Sequence, residues 1–266
     1  MKIALTIAGS DSGAGAGIQA DLKTFAACGV YGINAITALT AQNTQGVFGV
    51  SEVKPAFVTK QLFVLMKDIG CDAAKTGMLF SRPVIEAVAA AIAKYRIAPL
   101  VVDPVMFAKG GQPLLKPDAE EALISLILPH AFLVTPNLDE AKRLSGLKKI
   151  ETVEQMKDAA VKIAMLGPKN VLVKGGHLTG RAIDVLFNGS KFQTFEADRI
   201  DTSSTHGTGC TYSAAITAFL ANGRELDQAV ARAKTFITSA IRYSYAIGHG
   251  FGPVNHFWGV KEKSKE

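Results

Sequence analysis

Short apolar runs alternate along the chain with longer stretches in which apolar residues recur every three or four positions. Ile3 to Ala8, Ile33 to Leu39, Ala73 to Thr76, Leu100 to Asp103, Phe132 to Thr135 and Val171 to Lys174 have the length and composition of buried strands. Between most of them the spacing is helical. Pro55 is placed to open a helix whose face carries Val58, Leu62, Leu65 and Ile69, with Gly70 to close it. Val153, Met156, Ala160, Ile163 and Leu166 form a second such face, ended by Gly167 and Pro168. This alternation predicts an α/β fold with a mainly parallel central sheet and helices on both faces. One exception stands near Asn188-Gly189, where Ile183 to Phe187 and Lys191 to Phe195 predict an antiparallel hairpin at one edge, joined by a type I′ turn.

No repeat, low-complexity linker or shift in composition divides the 266 residues, so the pattern predicts a single domain over 1–266. From about residue 249 onward we expect a C-terminal tail, solvated where Lys261, Lys263 and Lys265 alternate with glutamate and serine. Three dispersed cysteines, Cys28, Cys71 and Cys210, give no disulfide framework and no cysteine-only zinc site, which points to a reducing, cytoplasmic setting. The run after Lys2 is shorter than a signal-peptide core, and the charge-free stretch from Gly29 to Ser51 is too polar to cross a bilayer. The net charge of +6 suits anionic ligands, but no basic run with interleaved aromatics supports nucleic-acid binding.

In a parallel sheet of this kind, ligands bind beyond the carboxyl ends of the strands, so the chemistry is sought there. The first strand is followed by GSDSGAGAGIQADLKTF, residues 9 to 25, which fits neither common phosphate-loop signature but lets a ligand approach backbone N–H groups from Gly9 onward. In the next helix Asp21 shares a face with Ile18, Leu22 and Phe25; a carboxylate there needs a partner, either a salt bridge or a ligand. The second strand runs into ALTAQNTQGV, where Gln42 carries an acceptor and a donor side by side, the pattern that matches an aminopyrimidine edge. Asp103 and Glu140 follow later strands and are hard oxygen donors suited to Mg²⁺. Asn137 is equally explained as a helix N-cap. Lys174 can meet a nucleotide phosphate. In STHGTGCTYSAAI, residues 204 to 216, Gly207, Thr208, Gly209 and Cys210 enter a helix, where free backbone N–H groups attract anions and lower thiol pKa values.

These segments together resemble the hydroxymethylpyrimidine and phosphomethylpyrimidine kinases of thiamine biosynthesis, within the ribokinase-like superfamily. The resemblance runs through LTIAGSDSGAGAGIQADLKTF, YGINAITALTAQNTQGV, AAKTGML, VVDPVM, TPNLDEA, VLVKGGH and THGTGCTYSAAI. It implies a three-layer ribokinase-like sandwich and a homodimer that uses ATP and Mg²⁺. The implied reaction phosphorylates a pyrimidine alcohol, 4-amino-5-hydroxymethyl-2-methylpyrimidine, and then its monophosphate. It also implies that Gln42 contacts the aminopyrimidine, Asp21 the hydroxymethyl group and Met78 the ring. Asp103 and Glu140 would organise Mg²⁺ and phosphate, Lys174 would contact the nucleotide, and Gly207 to Cys210 would receive the transferring phosphoryl group.

Two other readings remain at this stage. A pyridoxal kinase of vitamin B6 salvage would use the same site on a different flat heterocycle bearing CH₂OH. A cysteine hydrolase would need Cys210 within hydrogen-bond reach of His206.

Overall fold

The computed structural model describes residues 1–107, 111–112, 114–176 and 180–259; His177 and the lysines at 261, 263 and 265 lie outside them. The first half contributes β1 (Ile3–Asp11), α1 (Gly17–Ala27), β2 (Tyr31–Asn43), β3 (Gly46–Glu52), α2 (Pro55–Asp68), β4 (Ala73–Thr76), α3 (Arg82–Tyr95), β5 (Leu100–Val102) and α4 (Pro117–Ala122). Then come β6 (Leu133–Val134), α5 (Leu138–Ser145), α6 (Val153–Ala164), β7 (Val171–Gly175), β8 (Ala182–Phe187), β9 (Phe192–Ala197), α7 (Thr208–Ala221) and α8 (Leu226–Arg242). The described strands form one sheet in the order β3-β2-β1-β4-β5-β6-β7-β8-β9. From β2 to β7 the neighbours are parallel, whereas β3, β8 and β9 are antiparallel additions at the two edges.

Alternation along each strand feeds two cores. Leu100 and Val102 of β5 point to the layer built with α2, α3 and α6, while Val101 points to the layer of α1, α7 and α8. Val171, Leu172 and Val173 divide in the same way. Pro55 stands at the first turn of α2 and Gly70 adopts φ +69 just beyond it, as expected, while α6, capped by Thr152 accepting from Gln155 N, ends at Ala164, short of Leu166 and Gly167.

Three expectations need correction. The strand predicted over Ile33 to Leu39 extends from Tyr31 to Asn43 and folds back as β3, a strand absent from the predicted elements. Phe48 on β3 is 70% exposed, so no buried alternation marks this strand. The β8–β9 hairpin forms, but Phe187 pairs with Phe192, leaving a four-residue loop rather than a two-residue type I′ turn. Gly189 alone of the Asn-Gly pair takes positive φ, and the Asn188 side chain accepts from Lys191 N instead. Finally, the described part of the expected C-terminal tail packs: Val254 is fully buried, His256 is bonded to Thr211, and Asn255 N donates to Ala240 O.

At Gly175, where β7 meets β8, an added Cβ would stand 2.0 Å from the Ile183 carbonyl oxygen. Gly175→Ala should therefore lower stability by about 1–3 kcal/mol, read from the urea unfolding midpoint; an unchanged midpoint would contradict this packing.

Candidate active site

The parallel strands deliver two buried ion pairs to their carboxyl ends. Lys75, in β4, places Nζ 2.8 Å from Asp21 Oδ1, and both side chains are fully buried. Thr6 in β1 donates to the other Asp21 oxygen at 2.6 Å. This is the partner that the Asp21 position required. Alongside it, Lys174 Nζ lies 2.9 Å from Asp103 Oδ1, which also accepts from Thr135 Oγ1, while Asp103 Oδ2 accepts from Ser213 Oγ on α7. Burial works against the charged form of every member. For Lys75 the negative charge of Asp21, with Asp103 behind it, outweighs burial and raises the ammonium pKa. For Asp103 the two lysines outweigh burial and hold the carboxyl below its usual range.

These groups open onto a cleft of about 940 Å³, and all the residues singled out from the sequence line it: Gly9, Asp21, Gln42, Met78, Asp103, Asn137, Glu140, Lys174, Gly207, Thr208, Gly209 and Cys210. The N-terminus of α7 forms part of its wall. Gly207 caps that helix at φ +78, and a Cβ there would fall 1.8 Å from the Gly15 carbonyl oxygen, so only glycine lets the β1–α1 loop close on α7. Gly209 lies close enough that its added Cβ would be 3.4 Å from Lys174 Nζ. Helix geometry leaves the Gly209 and Cys210 N–H groups without intrahelical acceptors, next to that ammonium. The arrangement suits a phosphate-sized anion.

Cys210 differs from the sequence expectation. Burial, with the charges of Asp21 and Asp103, pushes its thiol up to about 12, against the pull of Lys75 and of the Gly17 N–H group. The helix end does not make a resting thiolate here. His206 is turned to Asp11, with Nε2 2.8 Å from Oδ2, and makes no hydrogen bond to Cys210; the nucleophile–base pair of a cysteine hydrolase is not assembled.

Asn137 and Glu140 form a capping box at the start of α5: the Asn137 side chain accepts from Asp139 N and Glu140 N, and Glu140 Oε2 accepts from Asn137 N at 2.8 Å. Burial, reinforced by Asp103 and opposed by Lys174, pushes the Glu140 carboxyl up to about 7. Among the described residues no group of three or more His, Cys, Asp or Glu side chains is arranged to hold a metal ion. Two carboxylates beside a phosphate site still fit Mg²⁺, which keeps several waters and shares oxygens with substrate phosphates. No helix among the described residues is long and apolar enough to cross a membrane.

Sequence reasoning missed Lys75, the pairing of Asp11 with His206, and the Lys234–Asp184 pair, at 2.7 Å, whose carboxylate also accepts from Gly175 N. Lys75 had a signal: a lysine inside the four-residue strand Ala73–Thr76, all of it buried, must meet a carboxylate. The other partners are 195 and 50 residues apart in sequence and left no local trace.

Comparison with known proteins gives a consistent result. The chain matches the phosphomethylpyrimidine kinase family over residues 11–255. It is 52% identical over 259 residues to the thiamine biosynthesis bifunctional protein ThiED of Geobacter sulfurreducens, covering 97% of this chain and 53% of that longer protein. The hydroxymethylpyrimidine/phosphomethylpyrimidine kinase of Bacillus subtilis is 45% identical over 256 residues, 96% of this chain and 94% of the relative. Among solved structures, an ADP complex of Bacillus subtilis pyridoxal kinase superimposes with a TM-score of 0.90 at 42% identity, covering 97% of this chain and 98% of that one.

With its thiol pushed up to about 12, Cys210 should react with iodoacetamide at pH 8 on the order of 10³-fold more slowly than free cysteine. Peptide mapping of the labelled protein checks this; rapid labelling of Cys210 at pH 8 would contradict the burial account.

Proposed function

Since this chain belongs to the phosphomethylpyrimidine kinase family, we propose that it transfers the terminal phosphoryl group of ATP to 4-amino-5-hydroxymethyl-2-methylpyrimidine, and then to the resulting monophosphate, in thiamine biosynthesis. The observation that carries the reading is the convergence, in one cleft, of Gln42 and Met78 with Lys174 and the first turn of α7.

In this reading Gln42 pairs with the ring edge, Met78 packs under the ring beside Gly9, and Asp21 faces the hydroxymethyl group while Lys75 and Thr6 hold its carboxyl in place. Lys174, Asn137 and Thr208 take the nucleotide side. The free N–H groups of Gly209 and Cys210 stand where charge develops on the transferring phosphoryl group, the largest contribution expected of a preorganised site. Phosphoryl transfer depends mostly on positioning and charge stabilisation, so a protonated Cys210 is compatible with it. Asp103 and Glu140 would hold Mg²⁺, which when bound neutralises phosphate charge and keeps the phosphates aligned. We further propose a homodimer, supported by the exposed apolar residues Leu39 and Phe48 of the β2–β3 ribbon and Phe57 and Phe63 of α2. A cytoplasmic location follows from the use of ATP.

A second reading, pyridoxal kinase, is favoured by the high structural similarity to the Bacillus subtilis enzyme of that name. Incubation with ATP, Mg²⁺ and equal amounts of the pyrimidine alcohol and pyridoxal, followed by mass spectrometry, should give pyrimidine monophosphate and then diphosphate, with ADP formed only when an alcohol is present. Pyridoxal phosphate alone would move the protein to vitamin B6 salvage, and equal ADP release without either alcohol would refute the kinase assignment. Gln42→Ala should raise the pyrimidine KM by about tenfold while leaving the ATP KM unchanged. Steady-state kinetics with each substrate varied checks it, and the reverse pattern would remove Gln42 from the pyrimidine side.

A further inference from the structure

Beyond α8 the chain doubles back across two segments that lead into the cleft wall, one at Gln42 and one at Gly207. At the first, Gly250 N donates to Thr44 Oγ1 at 3.2 Å and Phe251 N donates to the Thr44 carbonyl at 2.8 Å. Thr44 lies in the turn between β2 and β3, two residues past Gln42. At the second, His206 N donates to Gly252 O at 2.9 Å and Val254 N to His206 O at 3.3 Å, which makes a short parallel bridge. His206 directly precedes Gly207, the cap of α7. The far end of the crossing is anchored: Val254 is fully buried, and Asn255 N donates to Ala240 O on α8.

The crossing is a close fit. A Cβ added at Gly250 would stand 2.0 Å from the Thr44 carbonyl oxygen and 2.5 Å from its carbon, so main chain lies on main chain with no side chain to yield. At Gly248, where φ is +74, the added Cβ would be 2.3 Å from Thr44 Oγ1, and at Gly252 it would be 2.5 Å from Ser204 Oγ. The two segments also meet inside the cleft, where Gln42 Nε2 lies 3.3 Å from His206 Nε2.

We infer that residues 248–254 form a positioning strap, which holds Gln42, through Thr44, and the first turn of α7, through His206, in one relative placement. The inference rests on the proposed reading, in which the pyrimidine alcohol lies at Gln42 and the transferring phosphoryl group at α7. Transfer between two bound molecules depends on how closely the acceptor is aligned with the donor, and a displacement of about 1 Å costs on the order of 10²-fold in rate. The strap touches neither molecule in this reading. Its displacement should therefore appear in kcat and not in the affinity for ATP.

The test measures kcat, both KM values and the urea unfolding midpoint for the wild type, Gly250→Ala, Gly248→Ala and the double variant Gly248→Ala/Thr44→Ala. In Gly250→Ala the new methyl group meets only backbone, so kcat should fall on the order of 10²-fold, with the ATP KM within about twofold of wild type. Gly248→Ala should lower kcat in the same direction. Adding Thr44→Ala removes the Oγ1 and Cγ2 atoms that the new methyl group meets and should raise kcat again; the backbone strain at φ +74 is common to both variants, so the recovery reads the contact with Thr44. If Gly250→Ala does not fold, the Gly248 pair decides. A lower unfolding midpoint with kcat unchanged, or a rise in the ATP KM that matches the fall in kcat, overturns the strap while leaving the kinase reading in place. A wild type that phosphorylates no pyrimidine alcohol overturns both.

Discussion

Two lysines buried at the carboxyl ends of parallel strands impose the arrangement of everything around them. An unpaired buried ammonium is several kcal/mol unfavourable, so Lys75 requires Asp21 and Lys174 requires Asp103. The first pair ties α1 to β4. The second ties β7 to the end of β5 and, through Ser213, to α7. Helix positions on one face of the sheet are thereby set from the floor of the cleft. The pairs also set its field: cations and carboxylates balance, and the N-terminus of α7 adds a partial positive charge where Gly207 brings it against the β1–α1 loop.

Much of this architecture was legible because the parallel strands and their covering helices bury continuous or periodic apolar faces. The α1 stripe even exposed its own anomaly, Asp21 on an inward face, and the structure supplies its partner. What was not legible lacked such a face. β3 carries an exposed Phe48 and packs no core, so periodicity had nothing to register. The Asn188-Gly189 turn differs because the Asn188 side chain satisfies the loop amides, removing the need for a positive φ at that residue. At the site, residues at strand ends could be found one strand at a time, since the topology rule points to them. Pairings such as Asp11 with His206 could not, because they depend on how distant loops meet. The thiol of Cys210 illustrates the limit of a local rule: a helix N-terminus favours a thiolate, but burial beside two carboxylates outweighs it.

Chains with this fold carry names that refer to different heterocycles, pyrimidine in one relative and pyridoxal in another. The physical division of the cleft suggests why. In the proposed reading Lys174 and the helix terminus would address phosphate, which both reactions share, whereas Gln42 would address the ring edge. Substrate choice can then change without disturbing the buried charges that hold the domain together.

The central claim is that the first turn of α7, with Lys174 beside it, receives the transferring phosphoryl group. The most direct measurement is a crystal structure of the chain with a non-hydrolysable ATP analogue, Mg²⁺ and the pyrimidine alcohol. The account predicts the terminal phosphate within hydrogen-bond distance of the Gly209 and Cys210 N–H groups and of Lys174 Nζ, with the alcohol oxygen aligned behind it. A terminal phosphate bound away from α7, with those N–H groups facing only water, would contradict it.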